Sequence, residues 1–273
     1  MKNPIKMNTL LGVLDHSAAV AKKELSDYVN LFKNFQRKFK GVQNTYVPRD
    51  GFQMNYGKVA HVQVETTVAE QLEYLIQDNQ PDHGAYLKYL VNLFRVEATN
   101  SIGAHRVPLI VDGVHYGDLT ALELMRLKNV LSDDKLLELI KNIPVRPDTV
   151  VWHKDESVDY KDREVYATDL VRNIEATTLK EDYIAKDPNV DPQHLPANYR
   201  ATVLTKDKRV EIADTTHQDF SGEWTQTQRA LCMSRRSRLL EAVLAALKEV
   251  NTVDAAEANL DVKGVINFIF DIK

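Results

Sequence analysis

An α+β fold, with a mixed or antiparallel sheet covered by helices, is predicted by three features of this chain. Residues 15–40 place apolar side chains at helical spacing. An Asp-Gly pair separates two apolar runs at 106–116, the strongest short signal for a β-hairpin. Residues 149–220 are dense in threonine and β-branched residues and lead into a long helical pattern.

The N-terminal helix is read over Asp15–Lys40, with Gly41 expected to close it. Leu14, Ala18, Ala21, Leu25, Tyr28, Phe32, Phe35 and Phe39 are spaced 4-3-4-3-4-3-4, and a repeat averaging 3.5 residues keeps one seam against a neighbouring helix. That seam packs either on its own domain or on another copy of the protein. The predicted organisation is accordingly an arm at residues 1–44, possibly for assembly, and an α+β core at 45–273.

After a polar loop around VPRDG, the alternating KVAHVQVE reads as a strand. Thr67 and Glu70 have capping-box spacing at the start of TVAEQLEYLIQ, with Leu72, Leu75 and Ile76 as its buried face. Asp82 is placed to cap a short helix through Leu87, Leu90 and Val91, which runs into a strand FRVEATNS. Around Asp112-Gly113, RVPLIV and VHY form the hairpin, since a type I′ turn needs positive φ at both central positions. Thr120 and Glu123 repeat the capping box ahead of a helix through Leu124, Leu127 and Leu131. This busy stretch, with His105, His115, Asp112 and Asp118, therefore builds a wall and needs no catalytic explanation. A further helix, SDDKLLELIKNI, ends at Pro144.

TVVWH, EVYATDLVRNIEATT, RATVLT and RVEIADTTHQDF read as strands, and DPNVDPQHLPAN as the clearest long loop. The last helix covers 225–250, with Leu240, Val243, Leu244 and Leu247 as its stripe. VINFIFDI closes the chain as a strand with Ile266, Phe268, Phe270 and Ile272 on one face and Val265 and Ile269 on the other. Apolar residues on both faces place it inside a sheet or under a neighbouring subunit.

From FRVEATNS through VDGVHYGDLT, ELMRLKNVL, IKNIPV, HKDE, EATTLKED and FSGEW to RRSRLLEAVLAALKEVN, residues 58–251 resemble an uncharacterised family of bacterial and phage proteins. The likeness, to chains of roughly 240 residues, lies in the order of elements and implies no reaction and no catalytic residues. The chain departs from that family at 77–93, where it carries an extra helical insertion, and after Asn251.

Composition narrows the function classes. A net charge of −4 argues against a surface made throughout for nucleic acid. The single Cys232 excludes an intramolecular disulfide and a Cys-cluster zinc site, as expected in a reducing cytoplasm, that of the host if the protein is phage-encoded. The apolar run before Asp15 is too short for a signal-peptide core, and no segment approaches the length of a bilayer span, so no membrane partner is expected.

The chemical constellations are sparse. No two of the eight histidines have metal-ligand spacing. The densest group of possible ligands, His153 with Asp155, Glu156, Asp159 and Asp162, is interleaved with Lys154 and Lys161 like a solvated loop. Ser221 in FSGEW lacks a nucleophile elbow, and there is no glycine-rich phosphate loop. No enzyme activity, metal or cofactor is expected.

Two basic features remain. Lys33, Arg37, Lys38 and Lys40 alternate with Phe32, Phe35 and Phe39, but the periodicity buries the rings in the seam. Arg229, Arg235, Arg236 and Arg238 lie in the first half of the last helix, where the dipole disfavours cations and a compensating anion is called for. Carboxylates of the fold or of another copy supply it most cheaply, and nucleic-acid phosphate is the alternative. The expected function is a non-enzymatic, self-associating structural or scaffold protein, with an interface at Leu25, Tyr28, Phe32, Phe35, Phe39, Ile266, Phe268 and Phe270. The alternative is a nucleic-acid-associated accessory protein that uses the arginine helix.

Overall fold

A computed structural model describes residues 6–77, 83–184 and 203–252. In chain order the elements are α1 (Met7–Asn34), a 3-10 turn (Gln36–Phe39), β1 (Lys40–Pro48), β2 (Ala60–Val62), α2 (Val68–Ile76) and α3 (Ala85–Asn100). There follow β3 (Arg106–Val111), β4 (Val114–Thr120), α4 (Ala121–Leu131), α5 (Asp134–Asn142), β5 (His153–Lys154), β6 (Tyr166–Ala167), β7 (Val171–Ile184), β8 (Val203–Ser221) and α6 (Gln226–Val250). The fold is α+β, with antiparallel strands throughout its two sheets. Two compact units share the chain: Met1–Asn30, Tyr74–Asn142 and Thr227–Lys273 form the first, Leu31–Glu73 and Ile143–Gln226 the second.

In the first unit the hairpin forms as expected. Asp112 (φ 52°) and Gly113 (φ 81°) both take the left-handed conformation that the two-residue turn requires. Its inner face sets Val107 and Leu109 against Leu124 and Leu131 of α4 and Val243, Ala246 and Val250 of α6. The capping box on α4 is complete: Thr120 Oγ1 accepts from the Glu123 N–H, and Glu123 Oε2 accepts from the Thr120 N–H at 2.9 Å. Arg126 donates to Glu97 at 2.6 and 2.9 Å, tying α4 to α3 and compensating a buried carboxylate.

Several expectations for this unit need correction. FRVEATNS is not a strand but the second half of α3, because Leu93, Val96 and Glu97 face inward at helical spacing. Local alternation in Phe-Arg-Val-Glu loses to that packing. Gly84 (φ 72°) precedes α3, and Asp82 lies outside the described residues. On α6, Val243 is buried and Leu240 and Leu247 pack on the same cluster as expected, whereas Leu244 is exposed and Ala246 and Val250 join the inward stripe. α1 starts two turns before Asp15 and stops at Asn34.

In the second unit β8 is central to the sheet, whose order is β2-β1-β8-β6-β5 with β7 also paired to β8. β1 pairs with Ala213–Ser221 along one edge of β8. On the opposite edge β6 pairs with Phe220 and Ser221, and β7 with the stretch from His217 to Val203. Val64, Tyr160 and Val165 form a core cluster with Phe220 packed against it. Thr67 caps α2 as predicted, its N–H donating to Glu70 at 2.9 Å and its Oγ1 accepting from the Glu70 N–H at 3.2 Å.

Here too the sequence expectations shift. Ile76 is exposed, so the buried face of α2 rests on Val68 and Leu75. Of TVVWH, only His153 takes strand geometry, at the start of β5, and Val150 and Val151 are exposed. Gly41 does not close a helix. It lies in β1, where a Cβ would stand 2.7 Å from the Val62 carbonyl oxygen, so the close approach of β1 and β2 requires glycine.

Candidate functional site

The aromatic seam is covered by its own chain. Leu25, Tyr28, Phe32 and Phe39 are all buried, and burial pushes the Tyr28 hydroxyl up to about 12, with help from the charges of Glu24 and Tyr74. The heptad breaks at Phe35, which is non-helical (φ −117°, ψ 34°) and 38% exposed. The 3-10 turn after it returns Phe39 to Phe32, with ring centroids 5.7 Å apart. A spacing pattern that extrapolates one helix across this break cannot register the change of pitch. Ile266, Phe268 and Phe270, like the DPNVDPQHLPAN loop, lie outside the described residues.

The arginine helix finds anions and acceptors in its own unit. Arg238 pairs with Asp112 of the hairpin turn at 2.7 Å, and Arg229 donates to the Lys141 carbonyl oxygen at 3.3 Å. Arg236 differs: its Nε is buried with no hydrogen-bond partner among the described residues, and the charge of Arg235 acts on Cys232, whose thiol is raised by burial and partly restored by that cation. Asp112 therefore serves both the turn and the helix. His153 pairs with Asp169 at 3.4 Å, and among the described residues no group of three or more His, Cys, Asp or Glu is arranged to hold a metal ion. No helix among them is long and apolar enough to cross a membrane.

The length of the β7–β8 ribbon is not apparent from the sequence. β1 stops pairing at Ala213, so among the described residues no strand lies beside the outer edge of β8 from Val203 to Ile212. Arg49 braces the root through Glu211 and Asp214. Beyond that, Thr178–Asp182 and Val203–Arg209 are exposed, including Leu179 and Leu204. Charges here are balanced and face one another across the pair: Lys180 opposes Asp207, Glu181 opposes Lys206, and Lys208 reaches Glu181 at 3.2 Å. Two strands without a packed face are marginally stable in water at best. The signal was present in the β-branched runs but gave no register, so the overhang beyond β1 was invisible.

A second feature escaped notice because its residues converge from distant positions. Ser221, Gly222 and Glu223 leave β8 under tight constraint: the Gly222 N–H donates to the Phe39 carbonyl at 2.8 Å, and its own carbonyl accepts from Val68 at 2.9 Å. A Cβ on Gly222 would meet the Thr66 carbonyl oxygen at 2.8 Å, so only glycine allows this approach. Glu223 is thereby held 3% exposed, and it lines a cavity of about 240 Å³. Its carboxylate accepts from Ser221 Oγ at 3.2 Å and faces Lys40 Nζ at 3.5 Å. Arg146, stacked 3.7 Å over the Tyr166 ring, donates to the Glu223 backbone carbonyl at 3.1 Å. Burial pushes the Glu223 carboxyl above its ordinary value, and Lys40, Ser221 and Arg146 only partly offset this. The walls are Pro147, Val150, Trp152 and Phe220, with Asp219 and Thr168 also lining the space.

No curated protein and no solved structure matches this chain. One family does, over residues 4–272, nearly the whole length, and it includes the hairpin, the ribbon and the cavity. The chain thus belongs to this family of unknown function, DUF7873.

Proposed function

We propose that this is a non-enzymatic structural protein that self-associates, with the β7–β8 ribbon as its arm. The reading rests on one observation: Thr178–Asp182 and Val203–Arg209 form a paired ribbon whose residues are all exposed, with no core on either face among the described residues. Such a ribbon gains a core only from a partner, and an open strand edge is a ready template for another chain. Lys180, Lys206, Lys208 and Arg209 are matched by Glu181, Asp182, Asp207 and Glu211, which favours a surface of like composition over a polyanion. The setting in this proposal is the cytoplasm of a bacterium or of a phage-infected host.

Light scattering on the size-exclusion eluate tests it. The expected mass is a multiple of 31.1 kDa. Leu179→Asp with Leu204→Asp should return it to a single chain without lowering the melting temperature of that chain. A clean monomer at micromolar concentration overturns the reading, as does an oligomer indifferent to both substitutions.

A further inference from the structure

The cavity above Glu223 is a built site that self-association does not use. It is lined by Glu223, a residue almost wholly removed from water, and by Trp152. Trp152 is fixed by its own hydrogen bond, Nε1–H to the Pro147 carbonyl at 3.1 Å. A second carboxylate, Asp219, lines the same space and is held by His217 Nε2 at 3.1 Å.

The charges around this space are unequally anchored. Arg146 is buried and committed to Tyr166 and the backbone of Glu223. Lys40 is the cation that faces the Glu223 carboxylate. Its side chain is 56% exposed, and the contact at 3.5 Å is longer than a well-formed charge-assisted hydrogen bond. Solvent thus competes for the ammonium while the carboxylate stays behind in the protein, and burial outweighs the stabilisation that Lys40, Ser221 and Arg146 provide. A donor-rich cation entering from the cavity would supply what Lys40 gives only loosely, and the Trp152 indole adds attraction for such a group. At about 240 Å³ the cavity has room for a four-carbon chain with a cationic head.

We infer that the cavity formed by Trp152, Phe220, Asp219, Ser221 and Glu223 binds the alkyl-guanidinium or alkyl-ammonium head of a ligand, which displaces Lys40 from Glu223. The head belongs to a free small amine or to an arginine or lysine side chain of a peptide. Glu223 accepts its hydrogen bonds, Asp219 adds a second negative charge, and Trp152 covers the stem.

The test is titration of the full chain with agmatine, and separately with a blocked Gly-Arg-Gly tripeptide, followed by tryptophan fluorescence and calorimetry. Butyrate serves as the anionic counterpart. Saturable binding of either cation, absent with butyrate, is expected, and the tighter of the two identifies the source. Asp219→Asn should weaken it several-fold and Glu223→Gln at least tenfold. Lys40→Met, which removes the competitor, should tighten it. This last result separates a binding role from a structural one and does not depend on Glu223→Gln folding. No saturation by either cation at millimolar concentration, equal binding of butyrate, or weaker binding by Lys40→Met overturns the inference.

Discussion

Arg163 forks onto Glu70, with Nε 2.6 Å from one carboxylate oxygen and a terminal nitrogen 3.1 Å from the other. The same guanidinium donates to the carbonyls of Val64 and Glu65, and the same carboxylate accepts from the Thr67 N–H. One ion pair therefore fastens the segment after β5 to the strand exit and the helix start of the second unit. Burial alone would raise the Glu70 carboxyl, but the Arg163 and Thr67 hydrogen bonds reverse the sign, so it titrates below its ordinary value of 4.5.

Glu70→Ala should accordingly cost about 2 kcal/mol at neutral pH, from a lost cap and a lost charge-assisted pair. A group with a lowered folded pKa contributes its stability above the unfolded value and loses it as pH falls through the folded one. The gap between wild type and variant in urea midpoint should therefore shrink on acidification below 4.5. A constant gap would assign the loss to packing alone.

The break in the seam separates two phenylalanines three residues apart. Phe32→Ala removes a side chain with no exposed surface and should destabilise by about 3–5 kcal/mol. Phe35→Ala should stay within about 0.5 kcal/mol. Chemical denaturation of the two variants reads the difference directly, and equal losses would return Phe35 to the seam.

Glu223 reverses the pH argument. Its folded pKa is raised, so its favourable contribution is complete below 4.5 and is lost as pH rises through the folded value. Glu223→Gln carries no charge at any pH, and its stability relative to wild type should improve as pH rises from acid towards neutral. Denaturant melts across that range measure it. A variant that loses ground on the same path would show that Lys40, Ser221 and Arg146 outweigh burial.

Hydrogen exchange distinguishes a ribbon that is stable alone from one that needs cover. In the Leu179→Asp, Leu204→Asp variant, the amides of 177–182 and 204–209 should exchange far faster than those of 213–221, which β1 also borders. In the assembled wild type the two sets should approach one another.

Capping boxes and the Asp-Gly turn were legible because each depends on residues within a few positions. Thr67 with Glu70, Thr120 with Glu123 and Asp112-Gly113 all form as their spacing requires. Errors arose where distant residues decide. α3 absorbs FRVEATNS because Glu97 finds Arg126, 29 positions on. Gly41 serves β1 because Val62 comes within reach of it. The cavity unites Lys40, Trp152 and Glu223, which no local pattern connects. Ser-Gly-Glu at the end of a threonine-rich strand is the one local hint, and its structural content is the carboxylate of Glu223 and not the Ser221 hydroxyl.

The interleaving of the units has a consequence for biosynthesis. Val107, Leu109 and Leu124 close against Val243, which leaves the ribosome more than a hundred residues later. At roughly 5–20 residues per second the hairpin and α4 wait on the order of 10 s with that greasy surface uncovered. A translational pause before residue 243 lengthens the time during which this surface is open to misassociation.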